Sequence, residues 1–301
     1  MATEAAAGPT VVTLATATPG GGFPVYGEAF AGAVHEVDPS LEIQQRNTAG
    51  STENVPLLES GQVDLGLVQG EVVHEAMTGA GRPPADLRVL TAMYSTAGMF
   101  VVRADSRVRS IGDLRGQPVA FGARGSGLVI LARYVLDGLG LDRDGDFQAV
   151  FLDRAGDGPA MVLDGRVAAL WGGGVGWPGF TAVARGPAGA RFIVPDAEGI
   201  ERIRSRHGFL QKLEVPSGSY PGQDASIVSV GSWSFVLARA SLADDVAYRL
   251  ARAVHRGEAA IARRLPQAAE TTAANTVGAV TRLDLIHPGA LRYLREIGLA
   301  R

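Results

Sequence analysis

One pattern recurs along this 301-residue chain and limits its possible folds more than any other feature: an apolar strand segment, a loop of small residues, then a helix. In the first third, residues 10–16 are β-rich and run into Pro19-Gly20-Gly21-Gly22, and a helix is predicted over 25–37. Residues 41–46 alternate as a second strand, and residues 63–69 form a third whose unbroken apolar run fits burial on both faces. The rhythm then restarts. A strand at 118–121 leads into Gly122-Ala123-Arg124-Gly125-Ser126-Gly127 and an apolar helix over 128–136. A strand at 146–152, a helix at 160–163 and a strand at 167–171 follow, the last running into Gly172-Gly173-Gly174. A βαβαβ rhythm predicts an α/β fold whose mainly parallel sheets are flanked by helices. Ligands on such sheets sit at the carboxyl ends of the strands, which here means the loops at 18–26, 48–54 and 69–71.

A chain of this length exceeds one typical domain, so two lobes are expected. Met99-Phe100-Val101-Val102-Arg103-Ala104-Asp105-Ser106 and Ser234-Phe235-Val236-Leu237-Ala238-Arg239-Ala240-Ser241 are alike, each an apolar strand ending in a polar turn. Read as paired crossover strands, they place residues 10–102 with 236–301 in lobe 1 and 103–235 in lobe 2, with a hinge near 99–105 and 232–239. Helices predicted over 246–265 and 289–297 complete lobe 1, and 212–222 is a Pro/Gly/Ser-rich excursion. A hinge of this kind implies closure around a ligand.

Composition removes several function classes. The net charge of −3 and pI of about 6.0 argue against a nucleic-acid surface. Cysteine is absent, so there are no disulfides and no thiolate nucleophiles or metal ligands. No apolar run is long enough to span a membrane. Met1 to Pro9 lack a basic n-region and a long apolar stretch, so they do not form a complete signal peptide.

The segment Thr48-Ala49-Gly50-Ser51-Thr52-Glu53-Asn54 carries the clearest binding signal. Gly50 lets backbone approach a ligand, Ser51, Thr52 and Asn54 are natural helix caps, and the N-terminus of the helix that follows suits an anion. Ser126 and Gly127 repeat this arrangement in the second half, with Arg124 beside them as a guanidinium able to take a carboxylate. Gln69 ends a strand, and Tyr26 and Trp171 fall at strand ends where aromatics can wall a ligand.

Catalytic and metal motifs fare worse. No two of the five histidines are three to five residues apart. Asp142-Arg143-Asp144-Gly145-Asp146 has its glycine in the wrong place for a calcium loop. Gly174-Val175-Gly176-Trp177-Pro178-Gly179 matches a dinucleotide fingerprint formally, but Pro178 sits where the helix should be under way. Ser126 is not in a nucleophile elbow. No catalytic residue, metal or cofactor is expected.

Four patches, in order, resemble the TAXI family of extracytoplasmic solute receptors that serve TRAP-type transporters. They are Gly21 to Gly27; Thr48 to Asn54 with Asp64 to Gln69; Leu114 to Val119 with Gly122 to Gly127; and Tyr220 to Asp224 with His287 to Ala290. The resemblance implies a two-lobed type II periplasmic-binding fold and capture, as a monomer in the periplasm, of a small organic acid, glutamate-like or a dicarboxylate or oxo acid. It implies delivery to integral membrane permease subunits, and no enzymatic step. By position it implies ligand contacts from Tyr26, Ser51, Asn54, Gln69, Ser126 and Gly127, with Trp171 and Gly173 near the cleft. The chain departs from the family at Arg124, where proline is common, and at Leu128, where threonine is common. Two rivals share or resemble this fold: a binding protein for an ABC importer or sensor kinase taking sulfonates or aromatic acids, and a transferase, which would need a catalytic base.

Overall fold

The computed structural model of the protein describes residues 8–301, so the reading of the first residues as an incomplete signal peptide lies, up to Ala7, outside the described residues. Strand β1 (Thr10–Ala15) alternates inward and outward and leads into helix α1 (Gly22–Val37). Tyr26, Phe30, Ala33 and Val34 lie on one buried stripe of α1, at the spacing of a helix face. Strand β2 (Leu41–Arg46), helix α2 (Ser51–Glu59), the fully buried strand β3 (Leu65–Gln69) and helix α3 (Gly70–Thr78) follow. The chain then enters β4 (Leu87–Arg103), a strand of 17 residues.

The second run of elements is β5 (Pro118–Ala123), α4 (Gly127–Gly138), the single turn α5 (Arg143–Asp146), β6 (Gln148–Leu152), α6 (Gly158–Leu163) and β7 (Ala169–Gly173). After it come α7 (Pro178–Ala184), β8 (Ala190–Ile193), α8 (Ala197–Arg206) and β9 (Gln211–Val215). The 13-residue β10 (Ile227–Arg239) and helices α9 (Asp244–Arg264), α10 (Ala273–Ala279) and α11 (Pro288–Glu296) complete the chain. The alternation read from the sequence is thus the alternation observed. The segment 212–222 is a correction: its first residues form β9, which pairs antiparallel with β10, because Leu213 and Val215 turn inward beside an otherwise open strand edge.

The strands form one mixed sheet ordered β2-β1-β3-β10-β4-β7-β5-β6, with β8 also on β4 and β9 on β10. β1, β2 and β3 are mutually parallel, as are β5, β6 and β7; β10 runs antiparallel to β3, β4 runs antiparallel to β7, and β4 and β10 run antiparallel to each other. The two long strands serve both halves. β4 pairs with β10 up to Ala97 and with β7 from Gly98. β10 pairs with β9 up to Gly231 and with β3 from Ser234. The exchange in β4 lies just ahead of the 99–105 span expected from sequence, and that in β10 at the start of the 232–239 span.

Apolar packing divides in the same way. Two clusters, around Phe30 and Leu250 and around Leu58 and Val68, use the first and last segments of the chain. Two others, around Phe121 and Trp171 and around Leu170 and Phe180, use residues 97–230. Asp64 fastens the first half: its carboxylate accepts Thr13 N–H and Oγ1 at 2.9 Å each and takes Arg239 from β10 at 2.9 Å. No helix of the described residues is long and apolar enough to cross a membrane.

Candidate functional site

A cavity lies between the halves at the carboxyl ends of β1, β3, β5 and β7. From the first half it takes Thr18, Gly22 and Phe23 after β1, Gly50 and Ser51 at α2, and Gln69 at the end of β3. Tyr94 and Thr96 of β4 form its back, and Gln267 reaches it from the turn after α9. From the second half come Ser126, Gly127, Leu128, Ala155, Gly173 and Trp177. None of the residues lining it carries a formal charge, and burial holds the Tyr94 hydroxyl firmly protonated.

Helix ends supply its polarity. The N-termini of α1, α2 and α4 open onto this cavity, each from a helix of nine residues or more, and Gln69, the residue ahead of α3, lines it as well. Among the described residues the N–H groups of Gly22, Ser51 and Gly127 have no acceptor within the protein. Ser51 Oγ accepts Gln69 N–H at 3.1 Å, and Ser126 Oγ accepts Leu128 N–H at 3.2 Å, fixing two of these ends. Gln69 is 3% exposed and its Nε2 has no partner. A buried unpaired donor costs about 1–3 kcal/mol, so the site is set to gain from an acceptor placed in the cavity. Aligned helix dipoles give each terminus roughly half a positive charge. Together these groups favour an anion without any cationic side chain.

The two halves touch around the cavity. Thr52 donates through both N–H (3.2 Å) and Oγ1 (3.0 Å) to Gly125 O. Ala155 N–H donates to Thr18 Oγ1 at 3.1 Å on the other side. Gly50 has φ +123°, and a side chain there would meet Gly125 O at 2.8 Å, so both conformation and contact require glycine. Beyond the cavity, Glu75 of α3 bonds Arg133 and Tyr134 of α4. The cavity is about 50 Å³ and partly open to solvent, small beside the dry cavity of about 150 Å³ that admits benzene.

Of the ten residues expected from sequence, Ser51, Gln69, Ser126, Gly127 and Gly173 line the cavity. Thr52 bridges the halves at its rim. The other four lie elsewhere. Tyr26 is fully buried, 6.0 Å from Phe30 and 5.6 Å from Tyr94 between ring centroids, with Thr271 Oγ1 on its hydroxyl. Asn54 donates to Thr16 O and Leu67 O and accepts from Thr48 Oγ1, so its amide is spent tying α2 to the strands. Arg124 is exposed and stacks 4.6 Å over Phe151, away from the cavity. Trp171 packs in the core of the second half against Phe100 and donates to Leu128 O at 2.7 Å. The cap of α2 is Gly50 rather than Ser51, Thr52 or Asn54, with Glu53 taking Ala49 N–H.

Sequence reasoning missed Phe23, Tyr94, Thr96, Trp177 and Gln267. A usable signal existed for Trp177, which stands in the glycine turn 174–179 after a strand. None existed for Gln267, which is almost 200 residues from Gln69 and in no motif.

The histidines serve structure. His287 accepts Gly289 N–H at the start of α11, His255 meets Tyr293, and His207 meets Asp137. Residues 142–146 form a helical turn capped by Asp142. Among the described residues no group of three or more His, Asp or Glu side chains could hold a metal ion.

The fold is that of periplasmic solute-binding proteins. The periplasmic aliphatic sulphonate binding protein SsuA from Escherichia coli is similar, at TM-score 0.50 and 19% identity over 86% of this chain and 79% of that one. A TctC solute binding protein from Polaromonas has TM-score 0.50 and 16% identity over 87% and 88% of the two chains. A protein from Bordetella bronchiseptica RB50 has TM-score 0.58 and 14% identity over 95% and 96%. Identities this low speak for the fold alone. The sequence itself goes further: the profile of the NMT1-like family matches residues 14–298, and the chain belongs to that family.

Proposed function

We propose that the protein is an extracytoplasmic receptor of the TAXI group that captures a small carboxylate in the periplasm and presents it, as a monomer, to TRAP-type permease subunits. The observation that carries this reading is the uncharged cavity into which three helix N-termini open, with Gln69 Nε2 buried beside them and unpartnered. In this reading β4 near Ala97–Gly98 and β10 near Gly231–Ser234 act as the hinge, and the contacts of Thr52 with Gly125 and of Thr18 with Ala155 form as the cleft closes. The ligand's oxygens take the N–H groups of Gly22, Ser51 and Gly127 and the Gln69 amide. Trp177, Phe23 and Tyr94 wall its carbon chain.

The cavity's size and neutrality favour a single carboxylate on a short chain of about two to four carbons. The glutamate-like acids and dicarboxylates implied by the family resemblance carry a second charged group, for which no counter-ion lines the cavity. A second reading keeps the fold and changes the cargo and partner. A small sulfonate is also a compact monoanion that N–H donors suit, and an ABC importer or sensor would then receive it.

A thermal-shift panel tests these readings after unfolding and refolding to strip carried-over ligand. It holds acetate, propionate, lactate, succinate, glutamate, 2-oxoglutarate, methanesulfonate and a neutral sugar. Binding at about 100 times the dissociation constant stabilises by about 2.7 kcal/mol. A shift with the short monocarboxylates is the expected result. A larger shift with methanesulfonate would favour the second reading, and a shift with the sugar alone would overturn both.

A further inference from the structure

Beneath the cavity floor lies a polar cluster that ligand contacts do not explain. Both carboxylate oxygens of Glu71 and the hydroxyls of Ser232 and Ser234 are buried without a hydrogen-bond partner, next to Gln69 with its unpartnered amide nitrogen. Glu71 is fully buried in the first turn of α3, two residues beyond Gln69. Ser234 is opposite Gln69 in the sheet, and Ser232 packs against Gly70. These serines lie on β10 where that strand exchanges partners between the halves.

The other half packs on Gln69 and on the outer face of α3. Gly127, at the start of α4, sits directly on the Gln69 side chain. Ile130 of α4 packs into the apolar cluster that contains Val72, Val73 and Ala76 of α3. Arg133 and Tyr134 of α4 bond Glu75. Among the described residues no cation faces Glu71 from α2, α4, β3 or β10, the elements packed most closely on α3. On α4, Arg133 is bonded to Glu75. On α2, the charges are Glu53, which takes Ala49 N–H, and Glu59, which is paired with Arg82. β10 carries only Arg239, at its far end on Asp64, and β3 carries no charge. On α3 itself stand Glu75 and His74; the latter stacks on Phe209 beside His207 and Asp137. Ionising Glu71 in this setting is costly, since no cation is placed to pair with it.

We propose that closing the cleft binds a proton at Glu71: the carboxyl is neutral while α4 is seated on α3, and it releases that proton to water when α4 lifts away. The inference rests on the reading that the two halves open and close. Burial pushes the Glu71 carboxyl up to about 7, with Ser232 and Gln69 partly opposing and the charge of Glu75 adding to the rise. In the open form, wetted, it returns to the ordinary value near 4.5. The closed form then holds more protons than the open form between those values. Closure, and with it anion affinity, weakens as pH rises through this window and is flat outside it. The loss across the window is roughly tenfold or more.

The absence of cysteine permits a ligand-free test. Glu28→Cys on α1 and Ala160→Cys on α6 place spin labels at exposed sites on the two halves. Interlabel distances are measured at pH 5.5 and pH 8, with and without acetate or methanesulfonate, in this background and with Glu71→Gln added. The expected result is a closed fraction several-fold larger at the lower pH, and no pH dependence in E71Q. A distance that shortens with anion but ignores pH, or a pH effect retained in E71Q, overturns the proton site and leaves the receptor reading intact. A distance that responds to neither removes opening and closing, and both fail. Should E71Q not fold, infrared spectroscopy of the unsubstituted protein decides. A buried protonated-carboxyl band present at pH 6 and lost at pH 8 is expected, and its absence at pH 6 overturns the proposal.

Discussion

Gln69 and Arg124 stood together in the sequence as candidate ligand groups, and their surroundings separate them. The Gln69 amide is enclosed and unpaired, whereas the Arg124 guanidinium is exposed and lies over Phe151. Gln69→Ala is expected to weaken binding of the best anion from the panel by about 1.5–3 kcal/mol, roughly 10- to 150-fold. Arg124→Ala is expected to leave that affinity within twofold. Calorimetric titration of both variants checks this, and the opposite ranking would return Arg124 to the site. Gln69 was legible because a buried strand fixes where its last residue lies. Trp171 and Trp177 were not separable in sequence, since they flank the same glycine-rich strand end. Trp171 is an inward residue of β7 and packs against Phe100, while Trp177 lies four residues past the strand, where its ring can reach Gly22.

At the level of elements, alternating strands and helices bring helix starts together on one cleft, and two of them, at Ser51 and Ser126, could be read from spacing alone. The capping chemistry could not. Ser51, Thr52 and Asn54 are good caps by type, yet the cap of α2 is Gly50 because the loop must pass within contact of Gly125 from the other half. Gly50→Ala is expected to cost about 1–2 kcal/mol of stability for the left-handed backbone and to weaken anion binding further by blocking the Thr52–Gly125 contact. Melting and titration on the same variant distinguish the two losses; unchanged affinity would mean that this contact is not part of closure. Asp64 belongs to this scale too, since it joins β1, β3 and β10. Hydrogen bonds from Thr13 and Arg239 outweigh its burial and hold its carboxyl below the usual value of 3.8. A lowered carboxyl contributes stability above the unfolded value and loses it as pH falls through the folded one. Asp64→Ala should therefore destabilise by about 2–3 kcal/mol at pH 7 and by clearly less near pH 2. Denaturant unfolding at both pH values checks this, and an equal loss at both would assign the effect to packing.

Across the whole molecule, the repeat of strand, small loop and helix was enough to specify an α/β fold of mainly parallel strands flanked by helices, because parallel strands need crossover helices and those helices must cover both faces; that the strands join in one sheet was not expected. The exact exchange points were hidden. β4 is one continuous strand of 17 residues, buried along most of its length, and nothing in its composition marks where β10 gives way to β7 as its partner. Strand β9 was hidden for the opposite reason: Gln211-Lys212-Leu213-Glu214-Val215 is mostly polar and becomes a strand only because β10 offers it an edge. The pairing of surfaces across the cleft, which sets the cavity near 50 Å³, arises between segments more than 70 residues apart and has no local signature.

The central claim is that a small anion is held between the halves by helix N-termini and amides, with no cationic side chain. A crystal structure of the protein with the best-binding anion tests it most directly. The account predicts the anion's oxygens within hydrogen-bond distance of the Gly22, Ser51 and Gly127 N–H groups and of Gln69 Nε2, with Thr52 on Gly125 as the cleft's closing contact. An anion bound by Arg124, or bound outside the cleft altogether, would contradict it.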